Sequence, residues 1–213
     1  MERIKAVNII DMLAEHYGEA GCSLKAEDPF QLLVAVILSA QCTDRRVNEV
    51  TERLFQSYRT PTDFAALSEA ELVPHIFSCG FYHNKARSII AAAKTVRTDY
   101  DGAVPDTMEE LLRLPGVGRK TANVMISAAF GGEAIAVDTH VFRVTNRIGL
   151  ASSGKPEGVE MQLRQLLPVH YYTRAHYVLI RHGRGLCRAG RPICAECPVL
   201  PDCKYGIEKR NAM

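Results

Sequence analysis

The chain has 213 residues, of which 47% are hydrophobic, and its formal net charge is only +2. This is enough chain for one large domain or two small ones, each with a hydrophobic core. The longest apolar run, residues 32–40, is far shorter than the ~20 residues of a membrane span. The first residues lead into an amphipathic stretch and not into a signal peptide. The sequence therefore predicts a soluble, intracellular protein and no membrane partner.

Signals for helices recur along the chain, whereas strand signals are nearly absent. Ile4, Val7, Ile10, Leu13 and Tyr17 form the first apolar helix face. Residues 30–40 are apolar on almost every side, which predicts a central buried helix. Further helices are predicted from Thr43, Ser68, Asn84, Thr107, Arg119, Thr139, Pro156 and Arg174. About ten helices joined by short loops indicate an all-α fold.

Four of the predicted helix starts carry residues typical of caps. Asp28 precedes a proline at the first helical position, and Thr43 can cap the next helix. Ser68 and Thr107 are each followed three residues later by a glutamate, which is the pattern of a capping box. These local signals fix four helix starts independently of the hydrophobic pattern.

A glycine-rich turn, Leu-Pro-Gly-Val-Gly-Arg-Lys-Thr-Ala, occupies residues 114–122. Pro115 prevents the preceding helix from continuing, so that helix should end at Leu114, and the next should begin near Arg119. The turn is not a phosphate-binding P-loop, because an arginine separates the glycine from the lysine. It is not a dinucleotide fingerprint either, because a preceding strand and a third glycine are missing.

The two glycines of this turn suit contact with a nucleic-acid backbone. Gly116 and Gly118 tolerate backbone angles that other residues resist, and they leave backbone N–H groups bare. Such groups at a helix N-terminus are suited to binding phosphate, and two basic residues follow directly. The alternative is an ordinary tight turn between two helices.

Four cysteines near the C-terminus, Cys187, Cys194, Cys197 and Cys203, have the spacing C-x6-C-x2-C-x5-C. They predict a metal or iron–sulfur site, since cysteines in a reducing compartment are more often ligands than disulfides. Zinc is the alternative, although structural zinc sites usually present two short Cys pairs and this run has one. All-cysteine ligation in a compact loop also suits a cubane cluster.

Basic charge surrounds the cysteine run. Residues 181–210 contain seven Lys or Arg and three acidic residues, a local net charge of +4. This excess indicates a polyanionic partner or a solvated surface. The other cysteines, Cys22, Cys42 and Cys79, are expected to behave as small buried hydrophobic residues.

Residues 114–122, residues 135–143 (Ile-Ala-Val-Asp-Thr-His-Val-Phe-Arg) and the cysteine run, in this order, resemble the endonuclease III family. These are DNA glycosylases and AP lyases of the helix-hairpin-helix superfamily. Residues 38–44 (Leu-Ser-Ala-Gln-Cys-Thr-Asp) resemble the family's segment in the first barrel helices. The resemblance covers essentially the whole chain.

The resemblance implies a two-lobed fold with a C-terminal [4Fe–4S] cluster loop. A six-helix barrel domain at residues 22–132 would end in the helix-hairpin-helix motif at about 107–130. A second helical domain, made of residues 1–21 and 133–213, would hold the cluster. The implied protein is a cytoplasmic, nucleoid-associated monomer that acts on damaged or abasic double-stranded DNA.

Lys120 is the nucleophile that the resemblance implies, acting through a Schiff base at the sugar C1′. The helix N-terminus, neighbouring Arg119 and partial burial would favour its neutral form. Asp138 would assist it from the opposite wall of a groove. Each also has a structural alternative, because Lys120 could contact phosphate and Asp138 could cap a helix.

The resemblance also implies the residues that contact DNA. Because a duplex hides its bases, a glycosylase extrudes its target, and Gln41 and Phe81 match the positions that fill the gap. The family's expected residue at the second position is leucine, and the alternative for Phe81 is core packing. The other implied DNA-binding residues are Gly116, Gly118, Arg119, Thr121, Arg143, Arg188 and Arg191.

The function implied is a bifunctional DNA glycosylase and β-elimination lyase that removes oxidised pyrimidines in base-excision repair. A monofunctional adenine or mismatch glycosylase is one alternative, but such relatives lack a lysine at position 120. A non-catalytic DNA-binding module is the other, since helix-hairpin-helix elements also serve as clamps.

Overall fold

The computed structural model describes residues 1–18 and 21–211. Within these residues it has twelve α-helices and no strand, which confirms the predicted all-α class. The helices are α1 (Arg3–Tyr17), α2 (Pro29–Ser39), α3 (Asp44–Ser57), α4 (Pro61–Ala66), α5 (Glu69–Ile76), α6 (Tyr82–Asp99), α7 (Met108–Leu111), α8 (Arg119–Ala128), α9 (Thr139–Ile148), α10 (Pro156–Leu166), α11 (Tyr172–Arg184) and α12 (Lys204–Asn211). Single turns of 3-10 helix lie at Phe77–Cys79, Val169–Tyr171, Cys194–Glu196 and Leu200–Asp202.

Helix α2 is the centre of one compact unit, Cys22–Gly132. Its residues from Phe30 to Leu38 are all buried, as the apolar run predicted. It packs against α3, α6 and α8, while α4 and α5 pack against α6. The unit contains seven α-helices, α2 to α8.

The second unit joins Met1–Gly21 to Glu133–Met213. Helix α11 packs against α1 and α9, and α9 also contacts α10 and α12. The buried face of α1 consists of Ala6, Ile9, Ile10, Leu13 and Ala14. Ile4 is 75% exposed, so its predicted place on the inward face is wrong.

The predicted caps form, with one difference. Asp28 accepts a hydrogen bond from the backbone N–H of Gln31, and the Thr43 side chain caps α3 in the same way. The capping box at Ser68 is complete. At Thr107 only half of it forms, because the glutamate binds the Thr107 hydroxyl and not its backbone N–H.

Two helices, α4 and α12, lie outside the predicted set. A signal for α4 is present, because Thr60 and Asp63 form a complete capping box around Pro61. The first hairpin helix, α7, ends at Leu111 and not at Leu114 as predicted. In the described part of the chain, no helix is long and apolar enough to cross a membrane.

Candidate functional site

The turn before α8 requires glycine at position 116. The Val117 N–H donates to the Leu114 carbonyl at 3.1 Å, which closes a tight turn with proline second and glycine third. Gly116 has φ +78°, and a Cβ there would lie 2.5 Å from the Cβ of Ser88. The fold itself therefore excludes a larger residue at this position.

Position 118 has no such internal requirement. Gly118 is the N-cap of α8, with an extended backbone (φ −95°, ψ 176°), and no side chain caps this helix. A Cβ built on Gly118 would meet no atom within 4 Å. Its missing side chain thus leaves the N-terminus of α8 open to a ligand.

Lys120 lies in the first turn of α8 with its side chain exposed, so the predicted partial burial is not found. Arg119 beside it is also exposed, and Thr121 is half-buried. One turn further on, Asn123 is 1% exposed. Neither polar atom of its side-chain amide has a hydrogen-bond partner among the described residues. Nothing in the sequence pattern singles out this asparagine.

Asp138 caps α9, as the sequence predicted for its structural role. Its Oδ1 accepts from the backbone N–H groups of His140 and Val141, at 2.8 Å each. Both bonds use the same oxygen, so the cap does not use Oδ2. The carboxylate is held in place with one oxygen left for another role.

The two predicted gap-filling residues share an unusual backbone conformation. Gln41 is exposed with φ 52°, and Phe81 is 64% exposed with φ 47°. This left-handed region is unfavourable for residues with a long side chain. Because Phe81 projects from the surface, the alternative that it packs in the core is wrong.

Arg143, predicted to bind DNA, is engaged inside its own unit. Its guanidinium donates to the carbonyls of Gly183 at 2.8 Å and Cys187 at 3.2 Å. It also contacts the Nδ1 of His140 at 3.2 Å and the Thr139 carbonyl at 3.4 Å. Arg143 therefore ties α9 to the end of α11 and the cysteine segment, and these contacts give no support to a role on DNA.

Arg147, for which the sequence pattern gives no signal, holds the residues that follow Cys187 in the cysteine segment. Its guanidinium donates to the carbonyls of Arg188 and Ala189, both at 2.7 Å. It also lies 3.6 Å from the Cys187 Sγ and stacks over the Tyr205 ring. These residues are thereby fixed, while the side chain of Arg188 stays exposed, as does that of Arg191.

The four C-terminal thiols converge on one small cavity. All four cysteines line it, together with Ile148, His182, Leu186, Pro192, Ile193, Leu200 and Tyr205. Burial, and then the nearby thiols of Cys203, Cys187 and Cys194, raise the pKa of Cys197 to about 11. The four thiols, none in a disulfide, face one largely apolar cavity, and thiolates are the ligands that thiophilic centres prefer. Within the described residues, no three His, Cys, Asp or Glu side chains form a group suited to a single metal ion.

A buried histidine completes the surroundings of this cavity. His182 is 1% exposed, and burial lowers its pKa to about 4, which keeps the ring neutral. Its Nδ1 is 3.0 Å from the Tyr17 hydroxyl, and its Nε2 is 3.7 Å from the Cys197 Sγ. The sequence alone gives no signal for this contact, because Tyr17 and His182 come from opposite ends of the chain.

The predicted site residues are distributed over both units. Gln41, Phe81 and the residues of the hairpin lie in the unit built around α2. Asp138, Arg143, Arg188, Arg191 and the four cysteines lie in the other.

Residues 34–169 match the sequence model of the HhH-GPD superfamily base excision DNA repair proteins. This is more than half of the chain, and the fold is all-helical as described above. The chain belongs to the HhH-GPD superfamily.

Individual members of that superfamily that resemble this chain identify a narrower family. Endonuclease III of Bacillus subtilis is 47% identical over 95% of this chain and 92% of its own length. Endonuclease III of Rickettsia conorii is 45% identical over 92% of this chain and 94% of its own. A solved structure of a trapped endonuclease III–DNA covalent intermediate superimposes with a TM-score of 0.93, at 44% identity and 99% coverage of both chains. The protein is therefore a member of the endonuclease III family, which confirms the predicted family and the predicted class, a base-excision repair glycosylase and AP lyase.

Proposed function

We propose that this enzyme removes oxidised pyrimidines from duplex DNA and then cleaves the abasic strand by β-elimination, with Lys120 as its nucleophile. The observation that carries the proposal is the position of Lys120. It is exposed in the first turn of α8, two residues after a glycine that the fold does not require. A relative with 44% identity has been trapped as a covalent intermediate with DNA, which supports a nucleophilic mechanism.

The chemistry assigned to Lys120 proceeds in balanced steps. The neutral amine attacks C1′ of the damaged nucleotide, the bond from C1′ to the base breaks, and the base leaves with the bonding electrons and a proton. The C1′–O4′ bond then breaks as the nitrogen lone pair forms the C=N bond of a Schiff base between Nζ and C1′, and the proton released from nitrogen is taken up by O4′. The Schiff base acidifies C2′–H, and removal of that proton expels the 3′ phosphate.

Asp138 assists this sequence in our proposal. The cap contacts fix Oδ1, whereas Oδ2 can take a proton from the lysine or stabilise positive charge on the sugar. A carboxylate that accepts two backbone N–H groups is preorganised for this role, because its orientation does not depend on the substrate.

Extrusion of the damaged base is assigned to Gln41 and Phe81. A base within a duplex is unreachable, so the enzyme must turn it out and fill the space that it leaves. The exposed ring of Phe81 can stack against the neighbouring bases, and Gln41 can hydrogen-bond to the base left without a partner.

The phosphate backbone is bound at two basic surfaces. Gly118, Arg119 and Thr121 present the open N-terminus of α8 to one stretch of phosphates. Arg188 and Arg191 present exposed guanidinium groups to another. The enzyme is assigned to the cytoplasm, where it acts as a monomer.

The cysteine cavity suits a [4Fe–4S] cluster held by Cys187, Cys194, Cys197 and Cys203. When bound, the cluster supplies iron–thiolate bonds that anchor the loop and takes no part in the glycosylase step. Purified protein should be brown, with a broad absorption in the visible blue and stoichiometric iron and sulfide. A colourless protein with one equivalent of zinc would contradict this assignment.

A single incubation tests the proposed activity. The protein is mixed with a duplex that contains one abasic site, in EDTA and without magnesium, and the strand is analysed on a denaturing gel. A lyase nicks it to the β-elimination product. A monofunctional glycosylase or a DNA clamp would bind the duplex in a salt-dependent way and leave it intact. A parallel set of duplexes with different oxidised bases then defines the substrates by excision rate.

A further inference from the structure

A buried lysine joins two parts of the chain that lie far apart in sequence. Lys85, in α6, is only 5% exposed. Its Nζ donates to the Leu38 carbonyl at 2.8 Å and to the Cys79 carbonyl at 2.6 Å. A buried amine is tolerated only when it is paired, and these two carbonyls provide that pairing.

Both acceptors lie at the C-terminal ends of helices. Leu38 is in the last turn of α2, and Cys79 is the last residue of the 3-10 helix Phe77–Cys79. Carbonyls at these positions lack a partner within the helix and carry the negative end of its dipole. One ammonium group therefore caps two helix ends and fixes the direction in which the chain leaves each of them.

The two residues assigned to base extrusion follow these ends directly. Gln41 comes three residues after Leu38, and Phe81 comes two residues after Cys79. Both have positive φ, and among the described residues other than glycine only Asp101 shares this feature. Aspartate tolerates that region, but for glutamine and phenylalanine it is strained and persists only where the surroundings enforce it.

The same two segments also approach each other at a pair of cysteines. Cys79 belongs to the core of this unit and Cys42 packs against that core, and burial followed by the nearby Cys42 thiol raises the pKa of Cys79 to about 11. Cys42 is the residue after Gln41, and Cys79 is two residues before Phe81. The two segments are thus close together at Cys42 and Cys79, while the side chains of Gln41 and Phe81 stay exposed.

We propose that Lys85 is a positioning residue whose ammonium group holds Gln41 and Phe81 in the strained, exposed arrangement needed to extrude a base. The inference rests on the proposed function, because it assumes that these two side chains enter the DNA. Lys85 itself touches no substrate in this account. Its effect reaches the reaction only through the backbone of the two segments.

The test compares Lys85→Met with the matched control Lys94→Met, which changes an exposed lysine of the same helix. A duplex with 2-aminopurine next to an oxidised pyrimidine reports unstacking by its fluorescence, independently of bond cleavage. Lys85→Met should lose most of the fluorescence change and excise the base about a hundredfold more slowly, since a shift of ~1 Å has that consequence. Lys94→Met should behave as the unchanged protein. Lys85→Gln, which can donate to one or both carbonyls, should lie between them and serves if the methionine variant does not fold.

A double-mutant cycle separates positioning from general destabilisation. When Gln41→Ala and Phe81→Ala are already present, Lys85→Met should cause no further loss of fluorescence change or excision. Equal losses in both backgrounds would overturn the inference, as would a fluorescence change that is normal in Lys85→Met. Absence of cleavage by the unchanged protein would instead contradict the proposed function, and the fluorescence cycle would still decide the role of Lys85.

Discussion

The hairpin and the cysteine segment both carry residues on which the proposed function depends. The hairpin exposes these residues to solvent, whereas the cysteine segment turns its thiols towards the interior. In the hairpin, Lys120 and Arg119 are exposed, and their position is set by the preceding turn, which requires glycine at position 116. In the cysteine segment, residues 187–203, the thiols face an internal cavity, and Arg147 holds the residues that follow Cys187. Substitutions in the hairpin should therefore change catalysis and stability separately, whereas loss of a cysteine ligand should reduce stability and, through it, activity.

Loss of one cysteine ligand should give the largest effect on stability. We expect Cys197→Ser to lose the visible absorption and more than about 4 kcal/mol of the free energy of unfolding, because loss of a bound centre removes folding energy. Urea unfolding and iron content measure both effects. The control is Cys22→Ser, outside the cavity, which should keep its colour. A stable, colourless Cys197→Ser protein that still nicks abasic DNA would contradict the claim that the bound centre stabilises the fold.

Substitution of the two hairpin glycines should affect different quantities, the free energy of unfolding at one position and DNA affinity at the other. Gly116→Ala should lower the free energy of unfolding by about 2–3 kcal/mol, because the new Cβ would collide with Ser88 in an unfavourable backbone region. Gly118→Ala should leave unfolding within about 0.5 kcal/mol. It should weaken DNA binding about tenfold, which corresponds to ~1.4 kcal/mol, because its methyl group stands where a phosphate is proposed to approach. Thermal unfolding and fluorescence anisotropy measure the two quantities, and identical behaviour of the two variants would contradict the assignment.

Arg147 and Arg191 should also differ, with smaller effects, because the first contributes to stability and the second to DNA binding. Arg147→Met should lower the free energy of unfolding by about 1–2 kcal/mol, because two backbone carbonyls lose a charged donor. Arg191→Met should leave stability unchanged and reduce the slope of log K against log salt by about 1. Salt titrations of DNA binding check this. A normal slope for Arg191→Met would remove it from the phosphate-binding surface.

Features encoded by neighbouring residues could be predicted from the sequence. The caps at Asp28, Thr43 and Ser68 depend on residues three positions away, and all three form. The buried helix α2 follows from its continuous apolar run. Helix α4 has an equally local signal, the capping box at Thr60, and is predictable from the sequence in the same way.

Features that depend on distant contacts could not be predicted. Lys85 binds a carbonyl 47 residues away, and Arg147 binds carbonyls 41 and 42 residues away. The difference between Gly116 and Gly118 becomes visible only when the position of Ser88 is known. The contacts of Arg143 with the carbonyls of Gly183 and Cys187, 40 and 44 residues away, have no signal in its own motif either.

The central claim, that Lys120 acts as the nucleophile while the fold does not depend on it, is tested most directly by borohydride trapping. The protein and Lys120→Gln are each incubated with an abasic duplex and sodium borohydride, which reduces a Schiff base to a stable amine. We expect a covalent protein–DNA band for the unchanged protein and none for Lys120→Gln, with an abasic-site nicking rate reduced at least ~1,000-fold. The variant should keep its cluster, its thermal unfolding temperature and most of its DNA affinity. A trapped band of normal intensity in Lys120→Gln would contradict the account.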